Sequence, residues 1–216
     1  MLLWSQSVDV VRESMFAYAQ VTHGNIAYGI MAVTFLARLA LFPLTLRLAT
    51  SAAIHQQAMR RVAPELEAVR TTFKNDPARL ADETRRILER EGIPVIPLTG
   101  FMGAVLQTPL LLALFNAVRQ CASVGGRFLW IRDISKPDAA LALLVAAVTA
   151  GSVAAGAQPD VPAQQRHLLL AMPALVTAIA LWHMAAGVGL YWGVTSVVGV
   201  AQGVVVRRIL GRQAAR

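Results

Sequence analysis

The sequence predicts an all-α polytopic membrane protein with five transmembrane helices. Its 216 residues are 56% hydrophobic and only 15% charged, a composition typical of a membrane protein rather than a soluble domain. Several apolar runs reach the roughly 20 residues that a spanning helix needs. The longest run, 168–206, would be about 58 Å long as one helix, roughly twice the hydrocarbon thickness. It must therefore fold back into two spans.

The first two predicted elements are an amphipathic helix and a spanning helix. Residues 1–23 place apolar side chains near helical spacing beside charged ones, which indicates an amphipathic segment at the membrane surface, with a frayed tail as the alternative. A basic region and a small-residue cleavage site are lacking there, so no removable signal peptide is expected. Residues 24–48 form the first predicted transmembrane helix.

Residues 49–94 hold most of the acidic residues and many of the basic ones. Asp76 followed by Pro77 is typical of a helix start, with Asp76 as the N-cap and Pro77 at the first helical position. The segment therefore predicts a polar cytoplasmic helical hairpin with arms at about 56–74 and 77–91. Its charges alternate in sign, which favours a solvated surface helix pair.

The remaining chain alternates between apolar spans and short polar connections. Gly187 and Gly189 are predicted as the hinge that folds the long apolar run back on itself. The predicted segments are the second transmembrane helix at 95–118, an external loop at 119–138, the third helix at 139–157, the fourth at 168–184, the fifth at 188–207 and a short basic cytoplasmic tail at 208–216.

The distribution of basic residues orients these spans. Arg207, Arg208, Arg212 and Arg216 follow the last span without an acidic residue, so the C-terminus is expected in the cytoplasm. Five spans then place the N-terminus outside and the charged hairpin inside.

Arg38 lies in the middle of the first predicted span. A guanidinium there costs about 2.5–3.5 kcal/mol on insertion scales and stays charged. An end-anchor role would require the span to end at Ala37, which leaves it too short. A buried ion pair lacks a partner, because none of the later apolar runs contains Asp or Glu. A hydrated cavity is therefore the favoured setting.

Polar side chains also recur on one face of the first, second and fifth predicted helices. Such faces pair with each other or line water, so they predict a hydrophilic groove around Arg38. Interhelical hydrogen bonding remains an alternative for Gln107, and ordinary packing remains one for Trp192. The candidate groove residues are Thr34, Arg38, Gln107, Trp192, Thr195 and Gln202.

Other functional classes find no support in the sequence. Paired carboxylates, metal-ligand clusters and Ser/His or Cys/His sets are lacking, so no catalytic residue, metal or cofactor is expected, and the protein is not expected to be an enzyme. The single cysteine, Cys121, excludes an internal disulfide. The net charge of +8 does not indicate nucleic-acid binding, because no basic domain stands apart from the spans.

Several short fragments recur at characteristic places along the chain: TFLAR and FPL (34–44), APEL and FKNDP (63–77), PL and LQTP (97–109), FLWI, DIS and PD (128–138), MP (172–173) and GVGLYW (187–192). In this order and spacing, they resemble the YidC/Oxa/Alb family of membrane protein insertases. Departures from the family pattern include Phe101 and Gly103, where members often have cysteine and proline, and Ala186, where proline is usual. The chain is identified as a short, divergent, bacterial-type member.

The resemblance implies a groove open to the cytoplasm and to lipid, with Arg38 as the groove arginine. It implies a monomeric insertase and chaperone of the bacterial plasma membrane. Expected partners are newly made membrane proteins and the lipid bilayer, and the sequence leaves the ribosome and the Sec translocon open. Two other classes stay open from the residues alone: a small anion transporter or channel that uses Arg38, and a non-catalytic assembly subunit.

Overall fold

The computed structural model describes residues 2–94, 108, 112–156 and 163–214, and this part of the chain is almost entirely helical. One isolated β-bridge, between Phe128 and Ile131, is the only β pairing in these ranges. The predicted all-α class is confirmed. The helices are α1 (Leu2–Val21), α2 (Ile26–Thr72), α3 (Pro77–Arg90), α4 (112–122), α5 (Ala139–Gly156), α6 (Ala163–His183) and α7 (Ala186–Ala214).

Three of the described helices are long and apolar enough to cross a membrane. They are Ile26–Thr72, Ala139–Gly156 and Ala186–Arg212, and His167–His183 within α6 is a shorter apolar helix. Most of the predicted second span lies outside the described residues. The chain is thus a polytopic helical membrane protein, and the count of five spans stays a prediction.

Contacts divide the chain into two compact units. The first comprises Met1–Pro43 and Gln107–Arg216, and the second comprises Leu44–Leu106. The main core of the first unit takes residues from α1, α2, α4, α5, α6 and α7, and a smaller cluster joins Val8 of α1 to Ala113 and Ala117 of α4. The largest fully buried side chains of this core are Met15, Ile30, Val118, Ile134, Val145 and Val188.

Helix α1 packs against both clusters with one apolar face. Val8, Met15 and Ala19 are buried, at positions that share one side of a helix. On its polar side, Arg12 pairs with Asp9 at 3.0 Å. The same guanidinium donates a hydrogen bond to the Gln120 side chain of α4 at 3.2 Å.

The sequence places the hinge of the long apolar run at Gly187 and Gly189, and this prediction is wrong. The break falls at residues 184–185, and both glycines lie inside the first turns of α7. A Cβ on Gly187 would lie 2.6 Å from the Ala122 Cβ, and one on Gly189 would lie 2.8 Å from Leu141 Cδ2. These glycines therefore allow α7 to approach its neighbours closely, which is the common use of small residues between membrane helices.

Other helix ends also differ from the sequence prediction. Helix α2 runs from Ile26 to Thr72 without a break, so the first predicted span and the first arm of the hairpin form one helix. The intervening residues include many good helix formers and no glycine, so nothing local ends the helix there. Helix α6 begins at Ala163, before the predicted start of the fourth span at 168, and α7 continues to Ala214, so most of the predicted tail at 208–216 is helical.

The second unit contains the rest of α2 and the whole of α3. The side chain of Asp76 accepts a hydrogen bond from the Arg79 backbone amide, and Pro77 occupies the first turn, which confirms the predicted N-cap. The strongly amphipathic α3 buries Ile87 and Leu88 in a small cluster with Val62.

Candidate functional site

Arg38 on α2 contacts α7 through Thr195. The Arg38 Nε donates a hydrogen bond to Thr195 Oγ1 at 3.3 Å, across 157 positions of sequence. Both residues are partly buried. Two predicted groove residues from different helices are therefore brought together.

Tyr191 completes this polar group, and the sequence prediction missed it. Its phenol interacts with both the Arg38 guanidinium and Thr195. The Tyr191 ring is buried and meets the Phe115 ring edge-on, with centroids 6.4 Å apart. Because Tyr191 lies four residues before Thr195, helical periodicity could have placed it on the same face.

The structure places the other predicted groove residues as follows. Thr34 is fully buried, and its hydroxyl donates to the Ile30 carbonyl at 2.6 Å. Trp192 is partly buried and packs against the main core of the first unit. Gln202 is partly buried further along α7, and Gln107 lies outside the described residues.

The Arg38 charge has no carboxylate partner within the described ranges. The ion pairs found there belong to α1, to the segment 65–91 and to the 133–136 turn. Arg38 instead faces neutral hydroxyl groups. A guanidinium has five N–H donors, and those of Arg38 meet the Thr195 hydroxyl and the Tyr191 phenol.

A metal-binding site would need several of the side chains that commonly bind metal ions. Among the described residues, no group of three or more His, Cys, Asp and Glu side chains could hold a metal ion.

The segment 126–138 ties together the first turns of α5 and α7. The backbone amide of Gly187 donates to the Ile134 carbonyl at 2.9 Å, and that of Ala186 donates to the Lys136 carbonyl at 2.9 Å. Asp138 caps α5 by accepting from the Leu141 amide at 2.7 Å. The same Asp138 oxygen accepts from Trp130 Nε1 at 3.3 Å. The loop is therefore fixed to both helices.

Asp133 organises the same segment from within. Its Oδ1 accepts hydrogen bonds from the Ser135 hydroxyl at 2.7 Å and from the Ser135 backbone amide at 3.0 Å. These bonds favour the ionised form and lower the pKa of Asp133.

Comparison with known proteins decides the family. The family model described as 60Kd inner membrane protein matches residues 17–213, nearly the whole chain. The chain belongs to this family, the YidC/Oxa/Alb family. It is therefore a bacterial inner-membrane protein.

The relatives in the YidC/Oxa/Alb family are named membrane protein insertase YidC. The protein from Cupriavidus necator is 30% identical over 194 residues, which cover 88% of this chain and 33% of that protein. The protein from Aliivibrio salmonicida is 30% identical over 214 residues, 97% of this chain and 38% of that protein. The protein from Clostridium tetani is 30% identical over 135 residues, 61% of this chain and 59% of that protein. The chain spans about a third of the length of the Cupriavidus relatives.

Proposed function

We propose that this protein is a membrane protein insertase and chaperone. It would move short polar segments of client proteins across the membrane through a hydrated groove and release their apolar spans into lipid. The observation that carries the proposal is Arg38, a permanent charge on an apolar helix that meets Thr195 and Tyr191 rather than a carboxylate. Relatives named membrane protein insertase support the same function.

The cost of placing a client carboxylate in the bilayer and its attraction to Arg38 are similar in size, which agrees with a transient interaction. An aspartate at the centre of a bilayer costs about 2.5–3.5 kcal/mol on insertion scales. Two unit charges 4 Å apart attract by about 4 kcal/mol at an effective dielectric constant of 20. The two energies are similar, so Arg38 would offset the penalty for a client carboxylate without trapping it. Release of the client span into lipid needs no nucleotide, because burial of its apolar surface is favourable.

The rest of the groove and the topology belong to the same proposal. Thr34, Gln107, Trp192 and Gln202 join Arg38 and Thr195 in a groove within five transmembrane helices. The N-terminus lies outside, and the C-terminus lies in the cytoplasm. The monomer takes newly made membrane proteins from the cytoplasm, with the ribosome or the Sec translocon as further partners.

The charged hairpin would receive clients on the cytoplasmic side. Its surface carries exposed ion pairs, among them Arg85 with Glu89 at 2.6 Å and Arg90 with Glu65 at 2.6 Å. Exposed pairs of this kind contribute little to stability, because water screens them and the long side chains lose freedom when they pair. They can therefore be exchanged for contacts with a client at little energetic cost.

Reconstitution tests the proposal directly. The purified protein in liposomes should insert a single-span client with a short acidic N-terminal segment, measured by protection of that segment from added protease. The Arg38→Ala protein should insert several-fold less of the client while remaining folded. Empty liposomes give the background. Insertion equal to that background by the native protein, or chloride flux without insertion, would contradict the proposal.

A further inference from the structure

An apolar crevice opens in the first unit between α2, α5, α7 and the turn at residues 128–130. Its volume is about 650 Å³, within the range of about 300–1,000 Å³ that is typical of small-ligand sites. Its wall consists of aliphatic and aromatic side chains, with few polar groups. Representative lining residues are Met31, Phe35, Leu144, Val148, Val194 and Val197.

The mouth of the crevice carries a tight turn that presents apolar side chains outward. Phe128 and Ile131 exchange backbone hydrogen bonds of 2.9 and 2.8 Å, and Leu129 adopts a left-handed conformation with φ of 50°. That conformation costs a non-glycine residue about 1–2 kcal/mol. Even so, Leu129 is 74% exposed and Trp130 is 52% exposed. Water would not favour this arrangement, whereas a membrane interface would.

Two cations flank this turn. Arg127 and Arg132 are exposed, and neither guanidinium has a hydrogen bond or ion pair with any other described residue. The two nearby carboxylates are already engaged. Asp133 binds Ser135 and lies 3.9 Å from the Lys136 amine, and Asp138 binds Trp130 and the start of α5.

We propose that the crevice holds an acyl chain of an anionic phospholipid, with its phosphate headgroup at Arg127 and Arg132. The apolar wall suits the hydrocarbon chain, Trp130 suits the headgroup level, and the two free cations complement the phosphate. The occupant is not a client helix. A spanning helix is about 10–12 Å wide with side chains and about 30 Å long, far more than the crevice can enclose.

Fluorescence quenching of Trp130 tests the proposal. The full chain, with Trp4, Trp182 and Trp192 replaced by phenylalanine, is reconstituted in phosphatidylcholine vesicles. These vesicles contain a minor fraction of either brominated phosphatidylglycerol or brominated phosphatidylcholine. Half-quenching by phosphatidylglycerol should require about a thirtyfold lower lipid fraction, since each of the two arginines contributes about 1 kcal/mol near an anionic lipid and about 1.4 kcal/mol is a factor of ten in affinity. Equal quenching by the two lipids would overturn the proposal.

Variants separate the headgroup site from the crevice. Arg127→Gln with Arg132→Gln should abolish the preference for phosphatidylglycerol, and survival of the preference would sink the headgroup assignment. Ala32→Phe with Val197→Phe should fill the crevice and reduce quenching by both lipids to the level of bulk contact. Val176→Phe on α6 is the matched control, because Val176 is 56% exposed and Val197 is 58% exposed.

Two further results would count against a lipid occupant. Quenching that is unchanged by the filled crevice would place the lipid elsewhere. Relief of quenching when a client is added, with cross-links from position 197 to the client alone, would make the crevice a client site. The two arginine substitutions lie on the surface, so the test stands even if the filled variant does not fold.

Discussion

Arg38 Nε and Thr195 Oγ1 lie 3.3 Å apart and join α2 to α7 by a hydrogen bond between two polar side chains on apolar helices. The bond orients the guanidinium, which also interacts with the Tyr191 phenol and carries five N–H donors in all. If the group acts on clients by charge, the identity of the cation should matter less than its presence.

Arg38→Lys should therefore impair client insertion less than Arg38→Ala. Lysine keeps the charge but replaces the planar donor fork with a compact ammonium. The measurement is protease protection of a single-span client in liposomes at matched protein levels. Equal loss in both variants would mean that geometry rather than charge matters, and normal insertion by Arg38→Ala would exclude a role for Arg38 on clients.

Thr195→Val should lower insertion modestly, by less than Arg38→Ala does. The change keeps the side-chain shape but removes the acceptor for Arg38, which should cost about 0.5–1.5 kcal/mol of stability. Thr149→Val is the matched control. Thr149 also bonds α7, through the Ser196 hydroxyl at 2.9 Å, but it lies outside the Arg38 group. An equal insertion defect in both valine variants would show that loss of stability alone explains the result.

Gly29→Ala should destabilise the protein by about 1–3 kcal/mol, the usual range for overpacking. A Cβ at this position would lie 2.2 Å from the Met15 carbonyl oxygen, so α1 would have to move away from α2. Thermal unfolding in detergent, followed by circular dichroism, measures the change. Gly211→Ala is the control: a Cβ there meets nothing within 4 Å, and alanine is favoured over glycine in a helix by about 0.5–1 kcal/mol. Similar melting temperatures for the two variants would contradict the close approach of α1 and α2.

Asp138→Ala should destabilise the start of α5 by about 0.5–2 kcal/mol, the cost of losing an N-cap. It also removes the carboxylate that receives Trp130 Nε1. Hydrogen exchange of the amides at the start of α5 should become faster. Asp138→Asn keeps a capping oxygen and should restore most of the protection, so equally rapid exchange in both variants would argue against capping.

Leu88→Ala should release α3 from its cluster in the second unit. Leu88 is 4% exposed, and truncation of a buried leucine costs about 2–5 kcal/mol. Hydrogen exchange should accelerate along Pro77–Arg90. Ile54→Ala, at a residue that is 43% exposed in the same unit, should leave exchange in α3 unchanged. Full protection of α3 in the Leu88 variant would show that the cluster does not hold it.

Much of the candidate site could be read from the sequence. Arg38 lies in an apolar run, and the later apolar runs contain no acidic residue. The sequence therefore already predicted that polar groups of another helix lie near Arg38. The sequence placed Thr195 on a polar helix face, and its hydroxyl accepts the hydrogen bond from Arg38 Nε. Tyr191 was missed because an aromatic side chain on an apolar helix is ordinary packing until its neighbour is known.

The sequence by itself determined the properties that depend on neighbours along the chain. Apolar runs longer than a core helix needs gave the membrane class, and Asp76 before Pro77 gave the start of α3, because capping is a local hydrogen bond. Only the tertiary structure decided what depends on distant residues. It paired Arg38 with Thr195 and turned Gly187 from a predicted hinge into a point of close packing on Ala122. The physical reason is that a glycine permits both a turn and the close packing of its backbone against a neighbouring helix. Which of the two occurs depends on the residues that the fold places next to the glycine.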